Sequence, residues 1–305
     1  MSNRYQVAPL ESLGVLRASG PDAVAFLQGQ LSNDLALLSP TRALLAGYHN
    51  PHGRVIALLR LLQAGPLELL AVLPRELALP VVRRLGKFIL RSKVQLGDES
   101  ARWQVHGVVA AGGETPPGWP AQPEACATYD GGHVVQIAAA PARWLVLTPA
   151  GAGVPLPGTA QRVAALEWQR HAVASGEPQV YAATSEQFVA QMLNLDVLGA
   201  IAFEKGCYTG QEVIARAHYR GRVKRRLQRF ATRAATQLQH GAAGTLADGR
   251  TFRVVESVAR PDGRCEFLAV TAYGEAAAAD EPRAPAPSDS ALDAESLPLP
   301  YPLPG

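Results

Sequence analysis

The chain has 305 residues, a formal net charge of +3 and 48% hydrophobic residues. That is the composition of a globular protein long enough for two or three small cores. A charge of +3 over this length is too weak a field to argue by itself for nucleic acid. The three cysteines, Cys126, Cys207 and Cys265, are odd in number and lack CxxC spacing. This argues against a disulfide framework and against an intrinsic zinc or four-cysteine cluster site, and reduced thiols suit a cytoplasmic protein.

Met1–Gly20 mixes Arg4, Glu11 and Arg17 with short apolar pieces and does not read as a signal peptide. Pro21–Leu31 predicts a short helix with Pro21 at its first position. Leu44–Tyr48 predicts a strand, and His49-Asn50-Pro51-His52-Gly53 a turn. Val55–Leu73 is the most apolar window. Arg60, Gln63, Pro66 and Glu68 interrupt it, so it predicts a β-hairpin and no membrane span. Pro80–Arg91 predicts a helix with a packing stripe of Val81, Val82, Leu85, Phe88 and Ile89. Strands are expected at Lys93–Leu96, Trp103–Val109, Val134–Ile137 and Trp144–Leu147, with a Gly/Pro-rich loop near 111–125.

Ala160–Ala174 predicts one helix capped by Thr159, packing through Val163, Leu166, Trp168 and Val173. The break Gly176-Glu177-Pro178 follows it. After about Leu227 come short strand candidates at Leu227–Thr232, Gly244–Leu246, Thr251–Val255 and Glu266–Thr271. Their spacing predicts a small antiparallel barrel or sandwich over residues 227–274. Residues 275–305 are Ala-, Pro- and Ser-rich and are expected to be disordered. Residues 1–226 then form an α+β region of two interleaved subdomains.

The stretch with most chemical content is Lys205-Gly206-Cys207-Tyr208-Thr209-Gly210-Gln211-Glu212. A thiolate is favoured by adjacent positive charge, which Lys205 offers, with Arg216 and Arg222 available if the chain folds back. Gly206 gives the backbone freedom beside the thiol. Two readings stand: a reactive or metal-binding cysteine, or a small buried hydrophobe. A basic run follows: Arg216, His218, Arg220, Arg222, Lys224, Arg225, Arg226 and Arg229, with Tyr219 interleaved and no acid. Alternation from 216 to 224 would place these cations on one face of a strand, either as an anion or nucleic-acid contact or as a charge-blunted edge. His49 and His52 lack a third metal ligand and read as surface turn residues. Asn33-Asp34 forms a turn or faces a ligand.

These residues resemble the YgfZ-type folate-binding proteins. The likeness rests on Lys205–Glu212, with supporting pieces at Ala183–Phe188, Gln191–Leu195, Ala215-Arg216, Arg220-Gly221, Lys224-Arg225, Phe26–Leu31, Asn33-Asp34 and Gly53–Leu61. It implies a fold related to the glycine-cleavage T protein: several subdomains around a channel that accepts tetrahydrofolate, ending in a small β-barrel. It implies a role in assembling or repairing iron–sulfur clusters in client enzymes, among them a tRNA-thiolating radical enzyme, with other cluster-assembly proteins as partners. Cys207 is then the essential thiol, supported by Lys205, Gly206, Tyr208, Gly210, Gln211 and Glu212. Asn33, Asp34, Arg216, Arg220 and Arg222 would face folate or another anion. A cluster on Cys207 would need further ligands from a partner. Where T proteins carry a carboxylate pair and a pterin-contacting glutamate, this chain has Ala57, Leu58 and Ala174. Two alternatives stand beside the accessory-factor reading: a folate-dependent aminomethyltransferase, and an RNA-binding module using the basic run.

Overall fold

The computed structural model describes residues 4–110, 112–156, 160–221, 223–274 and 291–304. The chain divides into two compact units. The first comprises Met1–Tyr48, Ala57–Trp168 and Ala200–Thr209, and the second His49–Ile56, Gln169–Gly199 and Gly210–Gly305. The chain crosses between them at Thr209–Gly210, inside the cysteine motif, whereas its composition changes character only near Leu227.

In chain order the elements before the basic run are β1 (Tyr5–Pro9), β2 (Leu13–Ser19), α1 (Ala23–Gln28), β3 (Leu44–His49), β4 (Val55–Gly65), β5 (Glu68–Pro74), α2 (Arg75–Gly86), β6 (Gln95–Asp98), β7 (Trp103–Ala110), β8 (Cys126–Tyr129), β9 (Gly132–Ala139), β10 (Ala142–Pro149), β11 (Ala160–Arg162) and α3 (Ala165–Ala174). They build two sheets, with strand orders β11-β1-β7-β10-β9-β8 and β3-β4-β5-β2-β6. The expected hairpin is β4–β5, whose residues are buried along nearly their whole length. Such a run contributes about 1.5–3 kcal/mol per fully buried Leu or Val. Leu62, Leu70 and Val72 join Val105, Val135, Leu145 and Trp168 in one core. Tyr5, Val108, Val146 and Trp144 form another.

Three sequence expectations change here. The single helix over Ala160–Ala174 is strand β11 followed by helix α3, while its proposed cap, Thr159, lies outside the described residues. β11 pairs in parallel with β1, a long-range contact that periodicity does not register. Helix α2 begins five residues earlier than Pro80, which sits inside it. Phe88, expected on the packing stripe, is exposed.

The second unit contains α4 (Gln211–Tyr219), β12 (Arg225–Thr232), β13 (Ala243–Thr245), β14 (Thr251–Ala259), β15 (Cys265–Ala272) and β16 (Ala294–Leu297). Its sheet has the order β13-β14-β15-β12-β16 over a core of Phe230, Phe252, Val254 and Phe267. The expected barrel is not closed. Among the described residues a single bridge, Leu246 to Leu292, stands between the two edge strands in place of a ladder. Within the tail expected to be disordered, 275–290 lies outside the described residues, but Ala294–Leu297 forms β16 and pairs antiparallel with β12. Among the described residues no helix is long and apolar enough to cross a membrane.

Candidate functional site

Of the three thiols, Cys207 is exposed while Cys126 and Cys265 are buried. Burial pushes the Cys126 thiol up to about 11 and raises that of Cys265 as well. Both are small core residues, held away from the thiolate form that reacts. The exposed thiol is the one inside the motif.

The loop that carries it is fixed by its own neighbours. The Lys205 ammonium donates to the main-chain carbonyls of Gln28 and Leu31 at 2.7 Å each and of Asn33 at 2.8 Å. Three acceptors match the three protons of an ammonium group. Burial lowers Lys205 to about 8, with the Asp34 carboxylate acting in the opposite direction. The same ammonium lies 5.1 Å from the centre of the Tyr208 ring. Tyr208 is buried, which raises its phenol to about 12. Ser32 ties down the start of the segment, donating from its hydroxyl to Ala200 O at 2.7 Å and accepting from Ala202 N at 2.9 Å. Lys205 and Tyr208 therefore turn inward on either side of Cys207. Lys205 spends its protons on main-chain oxygens and acts by holding the loop. Gly206 has an ordinary φ, and a Cβ there would meet nothing within 4 Å. The space beside the thiol is open.

The segment beneath the loop explains Asn33 and Asp34. Gln28 donates from Nε2 to Asp34 Oδ1 at 2.8 Å and accepts from Leu35 N at 2.7 Å. Asp34 Oδ1 also accepts from Ala36 N, capping a 3-10 turn over Leu35–Leu37. Asn33 donates to Leu45 O at 2.7 Å and accepts from Asp34 N at 2.8 Å. These bonds turn the carbonyls of 28, 31 and 33 toward Lys205. Both functional halves of the Asn33 amide are engaged within the chain.

Past Gly210 the motif continues into the second unit. Gly210 caps α4 at φ 83°, and a Cβ there would lie 2.5 Å from Asn50 O and 3.0 Å from the Cα of Gly53. Only glycine fits. Asn50 builds the facing turn: its Oδ1 accepts from His52 N and Arg54 N, and its Nδ2 donates to Glu186 Oε2 at 2.7 Å. His49 is buried, not a surface turn residue as the sequence suggested, while His52 is exposed. Gln211 opens α4. Glu212 is exposed in its first turn, where a carboxylate complements the helix dipole.

The basic run does not form one face. Helix α4 replaces the expected strand alternation, so Arg216 and His218 stand in its last turn and Arg220 at its C-cap. Arg222 lies outside the described residues. Arg226 is buried and grips Asp196 through both guanidinium nitrogens, at 3.0 and 2.9 Å. Arg229 pairs with Glu266, and Arg225 bonds Thr251. Arg216, His218, Arg220 and Lys224 are exposed.

A reacting tetrahydrofolate would need acceptors and a proton carrier at the positions where the resemblance expects transferase acids. Ala57 is 0% exposed and Leu58 3% exposed on β4. Neither they nor Ala174 offers an acceptor to a pterin N–H or a group to carry a proton. These residues do not fit the reacting folate of an aminomethyltransferase.

The chain is 30% identical over 275 residues to the tRNA-modifying protein YgfZ of Cronobacter sakazakii, a match covering 84% of this chain and 81% of that one. It is 32% identical over 234 residues to the protein of the same name from Serratia proteamaculans, covering 72% and 68%. With that of Escherichia coli it shares 29% identity over 272 residues, covering 84% and 82%. Among solved structures, the glycine cleavage system aminomethyltransferase T from Bartonella henselae matches with a TM-score of 0.68 over 88% of this chain and 79% of that one, at 12% identity, a likeness of fold. No family model matches the chain.

Proposed function

The chain belongs to the YgfZ family, and from that premise we propose that it is an accessory factor in tRNA modification, acting through the Cys207 thiol on iron–sulfur client enzymes. One observation carries the reading. Cys207 is the exposed cysteine, and it is presented on a loop whose preceding lysine is locked by three main-chain carbonyls. A thiol held for packing needs no such support. A single thiolate supplies one ligand to an iron–sulfur cluster, and the remaining ligands come from the client or from a cluster-assembly protein. The open space at Gly206 suits the approach of another macromolecule.

Tetrahydrofolate belongs to this reading as a ligand implied by the family, not as a reaction partner, because the positions of the transferase acids hold buried alanine and leucine. Arg216 and Arg220 are exposed cations beyond the motif that an anionic tail or a client surface could meet.

The test is replacement of Cys207 by serine in cells. Cluster-dependent enzyme activity and tRNA thiolation are then assayed under oxidative stress. Both should fall toward the level of a strain lacking the protein. Unchanged modification, with the variant protein present at normal abundance, would sink the role of the thiol.

A further inference from the structure

Helix α2 and the turns that follow it carry five cations within eleven residues: Arg83, Arg84, Lys87, Arg91 and Lys93. The chain has no acid between Glu76 and Asp98. The inner face of α2 is occupied, with Leu77, Ala78, Val81 and Leu85 buried. Arg83 and Lys87 are one helical turn apart on the outer face. Beyond Gly86 the turns Phe88 N to Leu85 O and Ile89 N to Gly86 O carry the chain outward. Phe88 is 48% exposed there and Leu90 88% exposed. Arg83, Lys87, Arg91 and Lys93 are all exposed, and none has an ion pair among the described residues. Asp22 Oδ2 accepts from the main-chain N of Lys93 at 2.6 Å.

We propose that this surface is an RNA contact, in which Arg83, Lys87, Arg91 and Lys93 meet phosphates and Phe88 stacks on an unpaired base. The inference deepens the reading given above, and it rests on that reading for its class of partner. The chemistry is that of single-strand recognition, which combines cations along a backbone with an aromatic face that takes any base. Two exposed apolar side chains are too few to seat a helix in a bilayer, and the four exposed cations Arg83, Lys87, Arg91 and Lys93 call for a polyanion. The site is separate in sequence from the basic run after Gly210.

The experiment is fluorescence anisotropy of the full-length protein with an unmodified tRNA transcript and with a short unstructured RNA, across a salt series. Arg83→Glu/Lys87→Glu should weaken both by about tenfold or more and flatten the salt dependence by roughly two phosphate contacts. Arg83→Gln/Lys87→Gln, a milder change, should lose a smaller part in the same direction. Phe88→Ala should weaken the unstructured RNA about fivefold or more and leave a duplex RNA unaffected. The charge control is Arg4→Glu/Arg102→Glu, at two exposed arginines elsewhere. Equal loss in that control would overturn the inference. So would RNA binding that is absent in the parent or unchanged in the α2 variants. Binding to phosphatidylserine vesicles or polyglutamate that the α2 variants abolish, with RNA binding intact, would also overturn it by identifying a different partner. Unchanged RNA binding by the α2 variants leaves the Cys207 reading standing. Unchanged thiolation in Cys207→Ser cells leaves this surface standing.

Discussion

Lys205 donates from its ammonium to the main-chain carbonyl of Asn33 at 2.8 Å, joining segments 172 residues apart in the chain. The lysine that the sequence sets beside the thiol is bonded to main-chain oxygens, and the Asn33 side chain bonds Leu45 O and Asp34 N, so both residues hold the loop that carries the thiol.

Lys205→Met should therefore lower stability by about 1–3 kcal/mol, since three carbonyls lose a charged donor. Lys205→Arg should not restore it, because a planar guanidinium fork cannot converge on three oxygens. Urea unfolding measures both, and an unchanged midpoint for Lys205→Met would refute the clamp.

The clamp has a pH signature. Burial lowers Lys205 from its ordinary value to about 8. Below about 8 the folded protein holds a desolvated cation that the unfolded chain hydrates. Between about 8 and the ordinary lysine range the folded state has lost its proton while the unfolded state retains it, so stability from this group rises with pH. The stability difference between the parent and Lys205→Met should grow in the parent's favour from pH 8 toward 10. A flat difference would show that the carbonyl cage fully offsets burial.

The two glycines flanking Cys207 should separate cleanly. Gly210→Ala forces a Cβ to 2.5 Å from Asn50 O at a positive φ and should cost about 1–3 kcal/mol. Gly206→Ala meets nothing within 4 Å and should stay within about 0.5 kcal/mol of the parent. If Gly206→Ala nonetheless lowers tRNA thiolation in cells, the open space beside the thiol is used by a partner.

Iodoacetamide on the native protein should label Cys207 and leave Cys126 and Cys265 unmodified until the chain unfolds. Mass spectrometry of the digested protein reads this directly. Labelling of Cys126 at a comparable rate would contradict its burial.

Arg226→Met leaves Asp196 buried without its partner, at 9% side-chain exposure, and should cost about 3–5 kcal/mol. Calorimetric melting checks it. A loss below about 1 kcal/mol would mean that Asp196 finds water once the arginine is gone.

Much of this was legible from the chain. The hairpin β4–β5 and the strands of the C-terminal sheet follow from apolar runs bounded by turn residues. The sequence leaves Cys207 open between a reactive thiol and a buried one, and its exposure settles for the accessible position. What stayed hidden was non-local. The Lys205 cage is made of main-chain carbonyls, which every residue carries, so no side-chain pattern announces it. The basic run reads as an alternating strand because nothing in its sequence shows that a helix beginning at Gln211 continues through Tyr219. The sequence of β16, Ala294–Leu297, has little apolar character, and it is a strand because β12 offers it an unpaired edge. Periodicity puts Phe88 on the packing stripe only if the helix reaches it, and α2 stops two residues earlier.

The last described residues have a practical meaning for anyone shortening this protein. Tyr301 donates to Gly176 O at 2.7 Å, and a Cβ on Gly176 would collide with Leu299 and Tyr301. Leu292 and Ala294 pack on the core of the second unit, and β16 covers one side of β12. Cutting at 290, where the Ala- and Pro-rich composition invites it, would strip a lid from a phenylalanine-filled interior and leave a raw strand edge to recruit other copies.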